Sequence, residues 1–537
     1  MFFKSKTIQK QYNNKLLQFG NNMCYTVRAM INILEYLEQT LEQMADPDKA
    51  AFTGADESEL TFRDLSKLSR ACGSYFAGQN INKQPVAVFM QKSPSMIAAF
   101  LGVVYGGNYY IPLDAEMPAF RIRLILEAVS PALIICDDKT SALIAEWGLS
   151  YITVNFNEIS ASPVDETALA VIRNKTIDAD PLYVVFTSGS TGVPKGVVAT
   201  HRSVIDYIES LGAVLNVNED TVFGNQSPLY LDACLKEVYT TLKYGSSAYL
   251  IPPSLFMFPV KLIQYINDKG INTICWVASA LSLVAGLGAL KAETPKTLHT
   301  IAFGSEVFPL KHYNLWRETL PDARFIHLYG PTEATGMSCF FEATRAYEAD
   351  ESIPIGHPFP NTEIILIDDN GKTPEDGEPG EICIRGTCLS PGYFGDPEKT
   401  SNAFVQNPLS AFPDLIYRTG DLGRRGPEGE LYYISRRDHQ IKHMGHRIEL
   451  AEIEYVANSC EDVGLACAVF DSTDSHIVLY YVGAGTKAVR AYLKANLPRY
   501  MLPQSIIEVD ALPYTPGGKL DRVGLLQRYK ESKEVKE

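Results

Sequence analysis

The sequence predicts an α/β fold: a large N-terminal domain of parallel and mixed sheets with helices, which also carries a β subdomain, followed by a small α+β C-terminal domain. Three observations predict it. Up to about residue 330, short β-prone runs alternate with segments of helical periodicity, the pattern of βαβ units and parallel sheet. From about residue 353, short strands alternate with Asp-, Gly- and Pro-rich turns, as in a separate β unit. From 448 to 530 the pattern reads α-β-β-α. The domain boundary falls near Arg437–Asp438, giving domains 1–437 and 438–537. The second has about 100 residues, a normal domain size.

The elements follow in order. Residues 1–28 form a basic, polar extension to which no role is assigned. Residues 26–45 place Val27, Met30, Ile31, Ile33, Leu34, Leu37, Leu41 and Met44 at helical spacing and read as a surface helix. Thr61 caps a helix beginning near Phe62. Residues 85–91 read as a buried strand and 95–106 as a helix ending at Gly106–Gly107. RIRLILEAV reads as a helix and ALIICD as a strand. Further on, 203–215 and 260–269 read as helices, and 246–251, 271–277, 299–304 and 324–329 as strands. Loops after the strands of an open α/β sheet are where ligands bind, so the loops following these strands are expected to converge on one cleft. Residues 363–367 and 381–385 are the short strands of the β unit.

Composition narrows the function classes. The chain has 537 residues, 46% hydrophobic and 21% charged, which is ordinary for a soluble globular protein. A net charge of −15 with no basic stripe argues against a nucleic-acid partner. The ten cysteines show no C-x-x-C or metal spacing and read as reduced, mostly buried thiols of a cytoplasmic protein. The N-terminus lacks the apolar core of a signal peptide, and no run of about 18 apolar residues exists to span a membrane.

Residues 183–197, YVVFTSGSTGVPKGV, organise the chemistry. Tyr183 to Phe186 form a β-prone run. A loop of small residues follows: Thr187, Ser188, Gly189, Ser190, Thr191 and Gly192, closed by Pro194, Lys195 and Gly196. A segment with helix-like Val204, Ile205 and Ile208 leaves it. The glycines let backbone N–H groups approach a ligand, and the hydroxyls and lysine add donors without an acidic residue to repel an anion. The loop suits polyphosphate but is not a Walker A loop, because no Gly-Lys-Ser/Thr closes the frame.

The loop resembles the phosphate loop of the adenylate-forming (AMP-binding) superfamily, (S/T)-S-G-(S/T)-T-G-x-P-K-G. Five further stretches extend the resemblance over residues of about 30 to 525. LTFRDL and NYYIPLDAEMP resemble two early motifs. LYGPTEAT at 328–335 resembles the adenine and metal motif, with Tyr329 offering an aromatic face and Glu333 a carboxylate for Mg²⁺. YRTGDL at 417–422 resembles the ribose motif and places Asp421 on the ribose hydroxyls. GELYYISRRD continues it, with Tyr433 against the nucleotide, Arg436 reaching ribose or phosphates, and Asp438 at the hinge. PYTPGGKLDR at 513–522 resembles the motif of the catalytic lysine, here Lys519. Three positions depart from the family pattern: Ser435 for Gly, Gly517 for Asn and Met444 for Arg. The resemblance implies ATP and Mg²⁺ as cofactors, with Thr187, Glu333 and Lys519 as catalytic residues. It implies further nucleotide contacts from Gly304, Ser305, Glu306, Leu328, Gly330, Pro331 and Thr332. The implied reaction is attack of a substrate carboxylate on the α-phosphorus of ATP, with pyrophosphate leaving. The mobile small domain then turns, and a thiol takes the acyl group in a step that uses the motif ending at Gly445.

The acid is read from PLYLDACLKEVY at 228–239. Asp232 fits the amino-acid branch, in which this carboxylate takes the α-ammonium, as in peptide-synthetase adenylation domains and stand-alone D-alanine–carrier-protein ligases. A buried carboxylate needs such a cationic partner. The remaining pocket positions implied are Ala233, Lys236, Cys275, Ile301, Phe303, Leu328, Gly336 and Met337, with Lys519. Bulk at Phe303 and Leu328 favours glycine, then alanine. Lys236 points the other way, to an acidic side chain, unless its stem snorkels outward. The chain ends 18 residues after Lys519, so a stand-alone ligase loading a separate phosphopantetheine carrier protein is expected. By analogy alone, its product feeds cell-envelope or lipid A modification. The alternatives are an acyl- or aryl-CoA ligase and a non-catalytic nucleotide-binding protein.

Overall fold

The computed structural model describes residues 16–17, 25–26, 30–189, 194–437, 440–514 and 520–534. Of the 1–28 extension it describes only Leu16–Leu17 paired antiparallel with Tyr25–Thr26. Two sheets build the large unit. The first has six strands in the spatial order Lys195–Thr200, Pro181–Thr187, Tyr109–Asp114, Pro85–Met90, Leu133–Cys136, Thr153–Asn155. All its pairings are parallel except the first. The second has nine strands. Its central run, Arg324–Tyr329, Thr300–Gly304, Thr273–Val277, Val222–Asn225, Ser247–Leu250 and Ala50–Thr53, is parallel, and antiparallel strands close both edges. Parallel strands bury both faces, which explains the unbroken apolar runs in the sequence, such as PVAVFM.

Register aligns the strand ends. Val277, Gly304 and Leu328 are cross-strand partners at the end of three neighbouring parallel strands, so the loops that follow them leave side by side. This is the geometric basis for one cleft.

Thr61 caps the helix Phe62–Gly78, its side chain accepting from the Asp64 N–H. Three expectations are corrected. The early helix runs only over Leu34–Gln43, and it is not a surface helix: Leu34, Tyr36 and Leu37 are buried in the main core. Its apolar stripe packs chiefly on the helix Leu235–Tyr244, and the Tyr36 hydroxyl donates to Glu209 of the helix His201–Leu215 at 2.9 Å. The phosphate loop does not lead straight into a helix. It turns a hairpin into the strand Lys195–Thr200, which pairs Lys195 with Thr187, and the helix starts only at His201. The C-terminal region is α-β-β-α-β-α, with an added strand Ser505–Glu508 parallel to His476–Gly483. That strand is four residues long and half-exposed throughout, so it carries no alternation to read.

The β unit is an antiparallel sheet of Thr362–Ile367, Gly380–Gly386, Phe404–Gln406, Leu415–Arg425 and Leu431–Arg436. After it, the hairpin Gln440–His443 and His446–Glu449 enters the cleft of the large unit. Residues from 441 onward form two apolar clusters of their own, joined from the large unit by Phe120. Beside Phe120, Arg121 forms a fully buried ion pair with Glu452. His446 stacks on Tyr500 with ring centroids 3.5 Å apart. No described helix is long and apolar enough to cross a membrane.

Removing one partner of a buried pair leaves an uncompensated charge, at about 3–5 kcal/mol. Arg121→Ala should therefore weaken docking of the C-terminal region and raise the radius of gyration in small-angle scattering. Replacing Arg121 and Glu452 together with methionines should restore the compact value. An unchanged scattering curve for Arg121→Ala would contradict this role.

Candidate active site

The cleft is about 860 Å³ and is lined from both sides, by Thr187, Ser188 and Asp232 of the large unit, Asp421 and Arg436 of the β unit, and Arg447 of the hairpin. The strand Pro181–Thr187 delivers the phosphate loop to its wall. The Thr187 Oγ1 is buried with no partner among the described residues, the state of a donor held for a ligand. The Ser188 hydroxyl donates to the Arg447 carbonyl at 2.6 Å and accepts from the Glu449 N–H at 3.1 Å. Ser190, Thr191 and Gly192 lie outside the described residues, as do Asp438 and Lys519.

Glu333 is the electrostatic centre. It sits on a 3₁₀ turn, Thr332–Ala334, after the strand Arg324–Tyr329, and is fully buried. Its Oε1 accepts from Lys195 Nζ at 2.9 Å and from the Tyr393 hydroxyl at 2.8 Å. Its Oε2 accepts from Arg447 at 2.8 Å. Burial opposes its ionisation, but the charges of Arg447 and Lys195 outweigh burial and hold the carboxyl well below the usual carboxylate range. Lys195 is pulled down from its ordinary value by burial and by Arg447, against the attraction of Glu333. A permanently ionised carboxylate suits Mg²⁺, which takes one or two protein carboxylates beside substrate phosphates. Both oxygens are engaged by protein cations and a phenol in this arrangement.

Asp421 is similarly enclosed. It accepts from the Tyr329 hydroxyl and from Arg436, both at 2.6 Å. Arg436 therefore reaches the Asp421 carboxylate itself. Tyr433 packs in the apolar cluster with Tyr329 and Leu431 and does not line the cleft. Lys442 lies 5.5 Å over the Tyr329 ring. Two glycines are required by the backbone. Gly336 has a φ of +98° beside the Tyr207 ring, and Gly445 has a φ of +78° and lies against Val277. The Gly445 N–H donates to Glu306 at 2.7 Å, which ties the hairpin tip to the loop after Gly304. Ser305, with a φ of 66°, turns that loop.

The substrate positions divide. Asp232 and Ala233 lie at the start of a 3₁₀ turn and line the cleft with Gly336 and Met337, beside Gly330, Pro331 and Thr332. Burial raises the Asp232 carboxyl above its ordinary value, against the pull of Thr332 and Lys236. A second, much smaller recess of about 10 Å³ is lined by Lys236, Cys275, Leu328 and Met337. Phe303 lines the recess as expected, and Ile301 lines neither the cleft nor the recess. Strand alternation puts Cys275, Ala302 and Leu328 in the core on the recess side, and Ile301 and Phe303 in the core on the other face of the sheet. Phe303 borders the recess, yet its ring stacks on His327 at 5.0 Å and meets Phe308 edge-on at 5.1 Å. Ala302 is the residue beside Cys275, so the sheet wall is less crowded than the sequence implied.

Sequence reasoning missed Arg447, Tyr393, Arg121 and Lys442. Tyr393 sits in SPGYFGDP, a turn-rich stretch, and Arg447 in HRIELAEIE, where a charge reads as a solvated face. Only the juxtaposition of three chain segments gives them partners.

Comparison with known proteins agrees with this geometry. The family described as AMP-binding enzyme matches residues 41–394. Gramicidin S synthase 1 of Brevibacillus brevis is 32% identical over 491 residues, 89% of this chain and 43% of the relative. Bacitracin synthase 1 of Bacillus licheniformis is 28% identical over 492 residues, 90% of this chain and 9% of the relative. The chain thus spans less than half the length of either. The solved structure of holo-PA1221, an NRPS protein containing adenylation and PCP domains, shares the fold with a TM-score of 0.78 at 24% identity, covering 93% of this chain and 84% of that one. With a phosphate loop, a buried Glu333 and an enclosed Asp421 meeting at one cleft, and with the family match covering these first two motifs, the chain belongs to the AMP-binding enzyme family.

Proposed function

We propose that this protein activates an α-amino acid as its adenylate and passes the aminoacyl group to a phosphopantetheine thiol of a separate carrier protein. The observation that carries the reading is Asp232: a carboxylate with a raised pKa, lining the same cleft as Thr187, Ser188 and the Gly330–Thr332 turn. Such a group calls for a cation, and an α-ammonium supplies one while setting its own carboxylate toward the phosphate loop.

The first step forms a bond from a substrate carboxylate oxygen to the α-phosphorus of ATP and breaks the bond to the β-phosphate. Thr187, Ser188 and Lys195 stand where the leaving pyrophosphate would be held, and Asp421 where ribose hydroxyls would be bound. Lys519 is proposed to sit against the charge that develops at the α-phosphate. Glu333 would hold Mg²⁺, which neutralises phosphate charge when bound. In the second step a thiol sulfur attacks the acyl carbon, AMP leaves and the thiol proton passes to solvent. The docked hairpin, with Arg447 on Glu333, fits that second step. The division at 437/438, with Asp438 as hinge, is part of the same reading, and so is a separate carrier, supported by the adenylation–PCP arrangement of holo-PA1221. Of the two bulky residues that favoured glycine or alanine, only Leu328 packs on the recess side.

ATP–pyrophosphate exchange should depend on an amino acid. Asp232→Ala should lower it by about two orders of magnitude, because a charge-assisted contact is lost and an ammonium is left buried, while ATP still binds in calorimetry. Turnover of a simple fatty or aromatic acid with coenzyme A, and of no amino acid, would establish the acyl-CoA ligase reading instead. Arg447→Ala leaves Lys195 on Glu333, so exchange should persist. Loading of a carrier thiol should fall at least about tenfold in a single-turnover assay, since the docked state loses a buried ion pair. Equal loss in both half-reactions would contradict the role given to Arg447.

A further inference from the structure

We infer that His446 is a positioning residue for the thiol step: its neutral imidazole, set beside Arg121 and the rings of Tyr230 and Tyr500, lets the C-terminal region dock, and a proton on that ring opposes docking. The inference rests on the reading above, in which the docked hairpin serves the second half-reaction.

His446 opens the second strand of the hairpin, His446–Glu449. In sequence it stands between two docking contacts. On one side the Gly445 N–H donates to Glu306, and on the other Arg447 donates to Glu333. Its ring lines the cleft with Arg121, Ser188 and Tyr500 and is half-buried. Three elements bring groups against it. The 3₁₀ turn Arg499–Met501 brings Tyr500, stacked on the imidazole at 3.5 Å with the planes 2° apart. The stretch before the Asp232 turn brings Tyr230, whose ring lies at 6.5 Å and 24°. The helix Ala119–Val129 brings Arg121, which is buried and paired with Glu452.

These neighbours divide by the unit that carries them. Tyr500 packs on the C-terminal cluster, so it accompanies His446 wherever that region goes. Tyr230 packs on the cluster around the first sheet, and Arg121 lies on a helix of the same cluster. Docking is therefore what adds Tyr230 and the Arg121 guanidinium to the imidazole.

An imidazolium beside a guanidinium is repelled, and burial disfavours the charged ring. Burial first, then Arg121, then His443 pull the imidazole down to about 3. The nearby carboxylates are engaged elsewhere, Glu452 with Arg121 and Asp114 with the Glu116 N–H at 2.7 Å. Burial raises the Tyr230 and Tyr500 phenols, which stay neutral. An imidazole in water titrates near about 6.5. The docked value lies below the undocked one, so the support His446 gives to docking is complete above about pH 6.5. As pH falls below that point the support weakens by about tenfold per pH unit.

The test compares the full wild-type chain with His446→Phe, which keeps an aromatic ring and cannot titrate. In single turnover, the adenylate made from ATP and the amino acid that best supports exchange is transferred to free pantetheine. Thiol ionisation, Glu452 and Asp114 act alike on both proteins, so the rate ratio of variant to wild type isolates His446. That ratio should rise about tenfold between about pH 7.5 and about pH 5.5. The corresponding ratio for ATP–pyrophosphate exchange should not rise. His446→Gln, a second neutral side chain, should behave like His446→Phe. Small-angle scattering without substrates reads docking directly: on the same shift to acid, wild type should expand more than either variant. A flat transfer ratio, or equal expansion of wild type and variants, would overturn the inference. A chain that activates no amino acid would overturn the amino-acid reading, and the scattering would still decide the role of His446.

Discussion

The buried carboxylate of Glu333 is the point on which the closed arrangement depends. It joins three distant stretches of chain: Lys195 from the phosphate hairpin, Tyr393 from the β unit and Arg447 from the C-terminal hairpin. A carboxylate with no exposure tolerates ionisation only when its charge is matched, and here two cations and a phenol match it. Because one of the two cations comes from the C-terminal region, docking that region adds a second positive charge to Glu333, beside Lys195. A metal ion beside phosphates would meet the same need from the ligand side.

The same logic recurs around the cleft. Asp421 is held by Tyr329 and Arg436, Ser188 is bonded to both backbone ends of Arg447–Glu449, and Gly445 is fastened to Glu306. Each contact pairs a group proposed to hold nucleotide with a group from the β unit or the hairpin. Farther out, Arg121–Glu452 and the His446–Tyr500 stack form the outer support. Docking thus combines several polar pairs with the apolar contact of Phe120.

Much of this was legible in the sequence, for identifiable reasons. Parallel strands buried on both faces leave apolar runs, and loops at their ends leave clusters of Gly, Ser, Thr and Pro, so the phosphate loop, Glu333 and Asp421 could be picked out by local composition and resemblance. Thr61 was readable because a cap acts on its own helix. Position along a strand was not readable at single-residue precision. A shift of one residue exchanges the two faces: the positions transferred by resemblance were Ile301 and Phe303, and the sheet sets Ala302 beside Cys275. Arg447, Tyr393 and Arg121 escaped because their meaning is a partner more than 50 residues away in sequence. The strand Ser505–Glu508 escaped because four half-exposed residues carry no period.

The central claim is that this cleft makes an aminoacyl-adenylate. Its most direct test is mass spectrometry of the products formed when the protein is incubated with ATP and an equimolar mixture of the twenty amino acids. The account predicts one dominant aminoacyl-AMP, which disappears when Asp232 is replaced by alanine. An adenylate appearing only when the mixture is replaced by fatty or aromatic acids would contradict it.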